Sequence, residues 1–232
     1  MGGRKYGAWD ELRTHAPSSP TGSDVGHEIP LASFVHVVDD DMEVRESLAD
    51  LLRSVNYGVC LYGSAAEFLD VELPDVPACL VLDVRLPGRS GLELQEYLKE
   101  IDVRLPVILM TGFGDIPMSV KAMKLGAIDF LTKPIRNQDL LDAVATAIRL
   151  DQERLQDLAQ AAKLQEKYEL LTTRERQVMA LVTSGLMNKQ VANELSISEV
   201  TVKMHRGSLM RKLGARSAAT LVRIAEALEA KT

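Results

Sequence analysis

Cys79-Leu80-Val81-Leu82-Asp83 is the stretch on which the fold turns: four consecutive apolar residues followed at once by a carboxylate. A strand with no polar face belongs to a sheet covered on both sides, the situation of parallel strands in α/β proteins. Working outward, Phe34–Val38, Val59–Tyr62, Val107–Met110 and Asp129–Leu131 read as four more strands, mostly continuous apolar runs as well. Between them Met42–Val55, Ser64–Leu69, Leu92–Lys99, Pro117–Leu125 and the chain from Gln138 onward read as helices, with Ser64, Gly91 and Pro117 suited to helix starts. Alternating strands and helices joined by right-handed crossovers give a doubly wound (βα)5 sheet.

In such a sheet functional side chains gather just beyond the carboxyl ends of the strands. Here the first strand runs into Asp39-Asp40-Asp41, the third into Asp83, the fourth into Thr111 and the fifth into Lys133-Pro134. Clustered carboxylates repel one another and are stabilised by a hard divalent ion, so Mg²⁺ (or Mn²⁺) beside Asp39, Asp40 and Asp83 is expected. Asp83 can act as a nucleophile toward phosphorus where a metal and an ammonium, here Lys133, neutralise the charge on the transferring group. The Thr111 hydroxyl is placed to hydrogen-bond a phosphoryl oxygen, while Asp41 also reads as a helix N-cap.

The fifth helix does not stop cleanly. Leu141, Val144, Ile148, Leu155, Leu158 and Ala162 keep a 3–4 spacing, and no Gly or Pro intervenes before Gly185, which predicts a long linking helix. Asp151 and Gln165 fall where the stripe wants apolar residues, so a solvated connector and a dimer seam both stay open.

From Leu171 onward strand signals are absent and the module reads as all-α. Thr172 and Glu175 form a capping-box pattern ahead of a helix to about Thr183. Asn188 is expected to cap a short helix Lys189–Leu195, and Ser198 a longer one through Leu213, with Gly214 as the stop. On that longer helix Val200, Val202, Leu209 and Leu213 are expected to pack inward. Thr201, Lys203, Met204, His205, Arg206 and Ser208 include the outward set, and Lys203 and Arg206 are the foremost candidates for DNA contact in a major groove. The last helix, Ala218–Leu228, has an apolar surface at Leu221, Val222 and Ala225 on which dimerisation is expected.

Charge agrees with this division. From Tyr168 to the end ten Lys/Arg stand against six Asp/Glu, a net of +4, whereas the preceding part has 17 against 27, a net of −10. A basic module within a chain of net charge −6 points to nucleic acid. No apolar run reaches the roughly 18 residues of a membrane span, and no secretory signal is apparent, so the expectation is a cytoplasmic protein with no membrane partner. Cys60 and Cys79, each in an apolar run, read as buried free thiols. Residues 1–32 hold Pro17, Ser18, Ser19, Pro20, Gly22, Ser23 and Gly26 without a hydrophobic period, the composition of a disordered tail.

Val38-Asp39-Asp40-Asp41, Leu82-Asp83-Val84-Arg85-Leu86-Pro87-Gly88, Met110-Thr111-Gly112 and Phe130-Leu131-Thr132-Lys133-Pro134 together resemble the receiver domains of bacterial response regulators. Leu171-Thr172-Thr173-Arg174-Glu175-Arg176-Gln177-Val178, Asn188-Lys189-Gln190-Val191-Ala192 and Thr201-Val202-Lys203-Met204-His205-Arg206 resemble the LuxR/NarL output domain. The pairing is similar to FixJ-type two-component regulators. It implies a flavodoxin-like receiver over 33–150, a helical linker over 151–167 and a four-helix helix-turn-helix domain over 168–232.

The resemblance implies a non-enzymatic regulator in which Asp83 accepts phosphate from a sensor histidine kinase. Asp39, Asp40, Asp83 and the Arg85 backbone carbonyl would adjoin the metal. Thr111 and Phe130 would form a two-state switch, and a cis Lys133–Pro134 bond would aim Lys133 inward. The altered face would include Met118, Lys121, Ala122 and Leu140. The DNA-binding region would run from Asn188 to Gly207, with Lys189, Thr201, Lys203, Met204, His205, Arg206 and, beyond it, Arg211 as contacts. Promoter DNA, RNA polymerase and a second copy of the chain are the further expected partners. Two rival readings stand beside it. A phosphatase of the haloacid dehalogenase type needs a second Asp two residues after the nucleophile, where Arg85 stands. A phosphorylation-independent DNA-binding protein is disfavoured by the intact acidic cluster.

Overall fold

The computed structural model describes residues 33–73, 75–112 and 116–229, so the expected N-terminal tail lies outside the described residues. Five strands, β1 (Phe34–Val38), β2 (Gly58–Tyr62), β3 (Ala78–Asp83), β4 (Val107–Thr111) and β5 (Asp129–Thr132), form one parallel sheet in the order β2-β1-β3-β4-β5. Pairing aligns Val35 with both Val59 and Cys79, and Leu82 with Leu109. Helices α1 (Met42–Ser54), α2 (Ala65–Leu69), α3 (Gly91–Glu100), α4 (Ile116–Lys124) and α5 (Asn137–Glu169) connect and cover these strands.

The unbroken apolar runs are explained by two cores, one on each face. Val35, Val37, Cys79, Val81, Ile108 and Met110 meet Leu48 and Leu52 of α1 and Leu140, Val144 and Ile148 of α5. The alternate residues Val38, Leu80, Leu82 and Leu109 meet Phe68 of α2, Leu94 and Leu98 of α3 and Ala122 of α4. Every residue of β3 is buried, as its sequence requires. Ala122 and Leu140 are wholly buried in these cores, so they are not part of an exposed regulatory face, contrary to the sequence expectation. Ala122 is small enough to pack directly against the sheet, and Leu140 is in register with Val144 and Ile148 on the core face of α5.

Elements begin where local hydrogen bonding favours them. Asp41 caps α1 by accepting from the Glu43 and Val44 amides, and Ser90 with Glu93 forms a reciprocal capping box on α3. At Gly91 a close approach demands glycine, because a Cβ there would lie 2.3 Å from the Asp83 carbonyl oxygen. The start of α3 is thereby packed against the end of β3.

Helix α5 runs for 33 residues, about 50 Å at 1.5 Å per residue. Its buried residues end at Asp151. Beyond it α6 (Thr173–Thr183), α7 (Asn188–Glu194), α8 (Glu199–Leu213) and α9 (Ala218–Glu229) enclose a third core of Val178, Met179, Val182, Val191, Val202, Leu209, Leu213 and Leu221. Among the described residues no helix is long and apolar enough to cross a membrane.

Candidate functional site

The register of the parallel sheet brings the ends of β1, β3, β4 and β5 to one edge, where they converge on the side chains expected from sequence. Asp39 follows β1 and is fully buried, Asp83 closes β3 and is buried, and Thr111 closes β4 and is buried. Asp40 is exposed beside them. Lys133 follows β5, and its Nζ lies 2.5 Å from Asp39 Oδ2 and 3.5 Å from Asp83 Oδ2. The Lys133–Pro134 peptide is cis. Asp39 is further held by the Asp41 amide, which donates to its Oδ1 at 3.0 Å.

Charge and burial compete here. Burial pushes the Asp83 carboxyl above its usual range, and the Lys133 ammonium partly opposes that push. Burial likewise disfavours the Lys133 ammonium, but its hydrogen bonds and attraction to Asp39 and Asp83 prevail, so its pKa is raised and it stays charged. One oxygen each of Asp39, Asp40 and Asp83 lies within 4.8 Å of the others. Asp83 Oδ1 is buried and receives no hydrogen bond among the described residues. An all-oxygen donor set with an unsatisfied buried carboxylate oxygen fits a hard divalent cation. Chemically the arrangement offers a carboxylate nucleophile with a fixed ammonium beside it.

Phe130 lies in β5, half-buried against the core that holds Leu82 and Ala122. Arg85 and Pro134 are exposed at the rim. Asp41, as its alternative reading had it, serves as an N-cap.

In the C-terminal module α7 and α8 form two helices joined by a short turn through Ser196, whose φ is +53°. Ser198 caps α8, accepting from the Thr201 amide at 3.0 Å, and Gly214 ends it in the left-handed region. Val202, Leu209 and Leu213 are buried as expected. Lys189, Lys203, Met204, Gly207 and Arg211 are exposed, while Thr201 and His205 are half-buried. Lys203 pairs with Glu199 one turn earlier at 3.2 Å.

Four expectations are corrected. Val200 is 76% exposed, because at 100° per residue it lies on the face of α8 opposite Val202, which is in register with Leu209 and Leu213 and takes the core position. Asn188 does not cap α7: it is the first helical residue after Met187, and its side chain accepts from Arg206 Nη1 at 2.9 Å. Arg206 is consequently half-buried and tied across the two helices, rather than standing as a free outward cation. Leu221, expected at a dimer surface, is fully buried in the core of its own chain, whereas Val222 and Ala225 are half-buried.

Two polar anchors escaped the sequence reading. Asp151, noted only as a break in the α5 stripe, is 1% exposed; it accepts from the Ala78 amide at 2.9 Å and from Arg154 at 2.7 Å. The signal was its position itself, in register with Val144, Ile148 and Leu155. Lys212 of α8 donates to Glu175 at 2.7 Å and to the Leu170 carbonyl at 3.0 Å, pinning α8 to the start of α6.

Comparison with known proteins agrees with this geometry. Residues 35–145 match the model of the response regulator receiver domain, and residues 169–225 that of bacterial regulatory proteins of the luxR family. The chain is 52% identical over 204 residues to nodulation protein W of Bradyrhizobium diazoefficiens, covering 88% of this chain and 90% of that protein. It is 44% identical over 197 residues to the transcriptional regulatory protein FixJ of Azorhizobium caulinodans, covering 85% and 93%. A solved structure of the response regulator StyR superposes with a TM-score of 0.76 at 49% identity, covering 84% of this chain and 99% of that one.

Proposed function

Because the chain belongs to the FixJ-type response regulators, with a receiver domain and a LuxR-type DNA-binding domain, we propose that phosphorylation of Asp83 by a sensor histidine kinase controls its binding to promoter DNA. The observation that carries this reading is the Lys133 ammonium seated between the Asp39 and Asp83 carboxylates at the carboxyl end of the sheet.

An Asp83 oxygen attacks the phosphorus of the kinase's phosphohistidine; the N–P bond breaks as the acyl phosphate forms. Lys133 holds a phosphoryl oxygen and limits the charge that builds there. Asp39, Asp40, Asp83 and the Arg85 carbonyl would hold Mg²⁺ or Mn²⁺. When bound, that ion supplies charge neutralisation for the phosphoryl group. Thr111, buried at the end of β4, then hydrogen-bonds the phosphate, and Phe130 in the neighbouring strand repacks with it. The change is a shift in the population of two receiver states, and it reaches the output through dimerisation.

On the DNA side Lys189, Thr201, Lys203, Met204, His205 and Arg211 contact a major groove, with Arg206 bracing the helix pair through Asn188. Two copies paired through Val222 and Ala225 of α9 would read half-sites about one helical turn apart. The site of action is the cytoplasm, where RNA polymerase is the further partner. The domain limits are 33–150, 151–167 and 168–232.

The test is incubation of the full chain with acetyl phosphate and Mg²⁺ beside Asp83→Asn, followed by intact mass. Metal-dependent gain of one phosphoryl group by the wild type alone is expected. Equal labelling of both, or of neither, would overturn Asp83 as the acceptor.

A further inference from the structure

Helix α8 presents to solvent a stripe that its own fold does not explain. Val200, Met204, Gly207 and Arg211 are all exposed and fall within about 60° of one another on a helix that turns 100° per residue. Val200 is 76% exposed and Met204 62%, one turn apart, with Lys203 at their flank. Single exposed apolar residues are ordinary. Two adjoining ones at the amino-terminal half of the helix that follows a tight turn are placed where side chains of such helices meet base edges.

Gly207 adds a second, independent observation. A Cβ built there meets nothing within 4 Å, and its φ is not in the left-handed region, so the fold would accept alanine. Glycine is among the poorest helix formers, and its place in the middle of α8 brings no packing within the chain. What a bare backbone offers at this position is closer approach of another molecule.

The apolar feature of a major groove is the C5-methyl group of thymine. We propose that Val200 and Met204 read thymine methyl groups, with Gly207 giving the clearance that lets α8 lie deep enough to reach them. The sequence preference of this regulator is accordingly set in good part by apolar contact rather than by Lys203, whose ammonium is shared with Glu199. This inference rests on the reading of α8 as the element that enters DNA.

The experiment begins with selection of a binding site from a randomised duplex library by the full chain, with and without acetyl phosphate. Each thymine of the selected duplex is then replaced singly by deoxyuracil, which removes the methyl group and nothing else. At one or two positions per half-site the Kd is expected to rise about fourfold, the factor for losing one buried methyl group. Val200→Ala should weaken binding to the selected duplex by a similar factor and abolish the uracil effect at one of those positions. Gly207→Ala should raise the thermal stability of the protein and yet lower its affinity for the same duplex. Sequence-selective binding with a flat response to uracil, or a Val200→Ala protein with unchanged uracil sensitivity, overturns the proposal alone. Failure to enrich any sequence overturns the assignment of α8 to DNA, and the proposal with it.

Discussion

Replacing Asp151 with alanine should loosen the end of β3 opposite the proposed phosphorylation site. The Asp151 carboxylate, 1% exposed, accepts from the Ala78 amide at 2.9 Å, and Ala78 is the first residue of β3. Its removal leaves a buried N–H without an acceptor, which costs about 1–3 kcal/mol. Arg154, whose side chain is 34% exposed, regains water when its partner goes, so its share is at most about 1 kcal/mol. Asp151→Asn keeps a carbonyl acceptor for Ala78 and should cost only about 1 kcal/mol. Urea unfolding of the full chain gives the global cost, and hydrogen exchange of peptides covering residues 76–80 gives the local one. For a loss of 2–3 kcal/mol, Ala78 protection should fall about 30- to 150-fold if exchange runs through unfolding of this region. An Asp151→Ala cost below about 0.5 kcal/mol, or an Asn variant as damaged as the Ala variant, would show that the Asp151–Ala78 bond is not what holds this end together.

The remaining predictions concern pH and packing. Burial lowers the His36 pKa from 6.5 to about 4, so between those values the unfolded chain binds the extra proton. The stability contribution is complete above pH 6.5 and falls by up to about 1.4 kcal/mol per pH unit toward pH 4; urea titrations of wild type against His36→Gln should show it, and parallel curves would contradict it. Burial alone would raise the Glu175 pKa, but hydrogen bonds from Lys212, Ser208 and Thr172 hold it down to about 2. Its contribution is therefore present above about pH 4.5 and lost as pH falls toward 2. With Lys212 31% exposed it amounts to roughly 1–2 kcal/mol, and an unchanged acid profile in Glu175→Gln would refute it. Gly91→Ala should cost about 1–3 kcal/mol, because its Cβ would strike the Asp83 carbonyl at 2.3 Å and backbone has to move. Since that backbone carries the Asp83 carboxylate, phosphoryl uptake from acetyl phosphate should slow as well.

The sheet and its acidic edge were legible in sequence because burial on both faces writes itself as mostly continuous apolar runs, and four of the five run into a polar residue. The proposed phosphoryl site needed only the order of those ends, and Asp39, Asp83, Thr111 and Lys133 lie together as the order implies. Legibility declined where one residue satisfies two patterns. Leu221 looked like a surface residue because α9 is apolar over more than one face, yet the third core takes it entirely. Val200 and Val202 are alike in chemistry but lie on opposite faces of α8, and only Val202 is in register with the buried Leu209 and Leu213. Arg206 reads as a DNA-facing cation until Asn188, 18 residues earlier, is seen to accept from it. Asp151 was the most informative miss, since a buried carboxylate looks in sequence like an error in a hydrophobic stripe.

Strand β3 is held at both ends by different means, and this bears on how the receiver communicates. At one end Asp83 shares Lys133 with Asp39; at the other the Ala78 amide is bonded to Asp151 of α5. The first turns of α5, through Leu140, Val144 and Ile148, pack on the same face as residues of β3, β4 and β5. These are the strands that carry or precede Asp83, Thr111 and Lys133. A helix with no Gly or Pro from Asn137 to Glu169 has no built-in hinge at which displacement of those turns would be absorbed. Just past its end, the Leu170 carbonyl accepts from Lys212 of α8. The helix packed against the strand that carries Asp83 is thus hydrogen-bonded, one residue beyond its terminus, to the helix proposed to enter DNA, and Asp151 ties that helix to the first residue of β3.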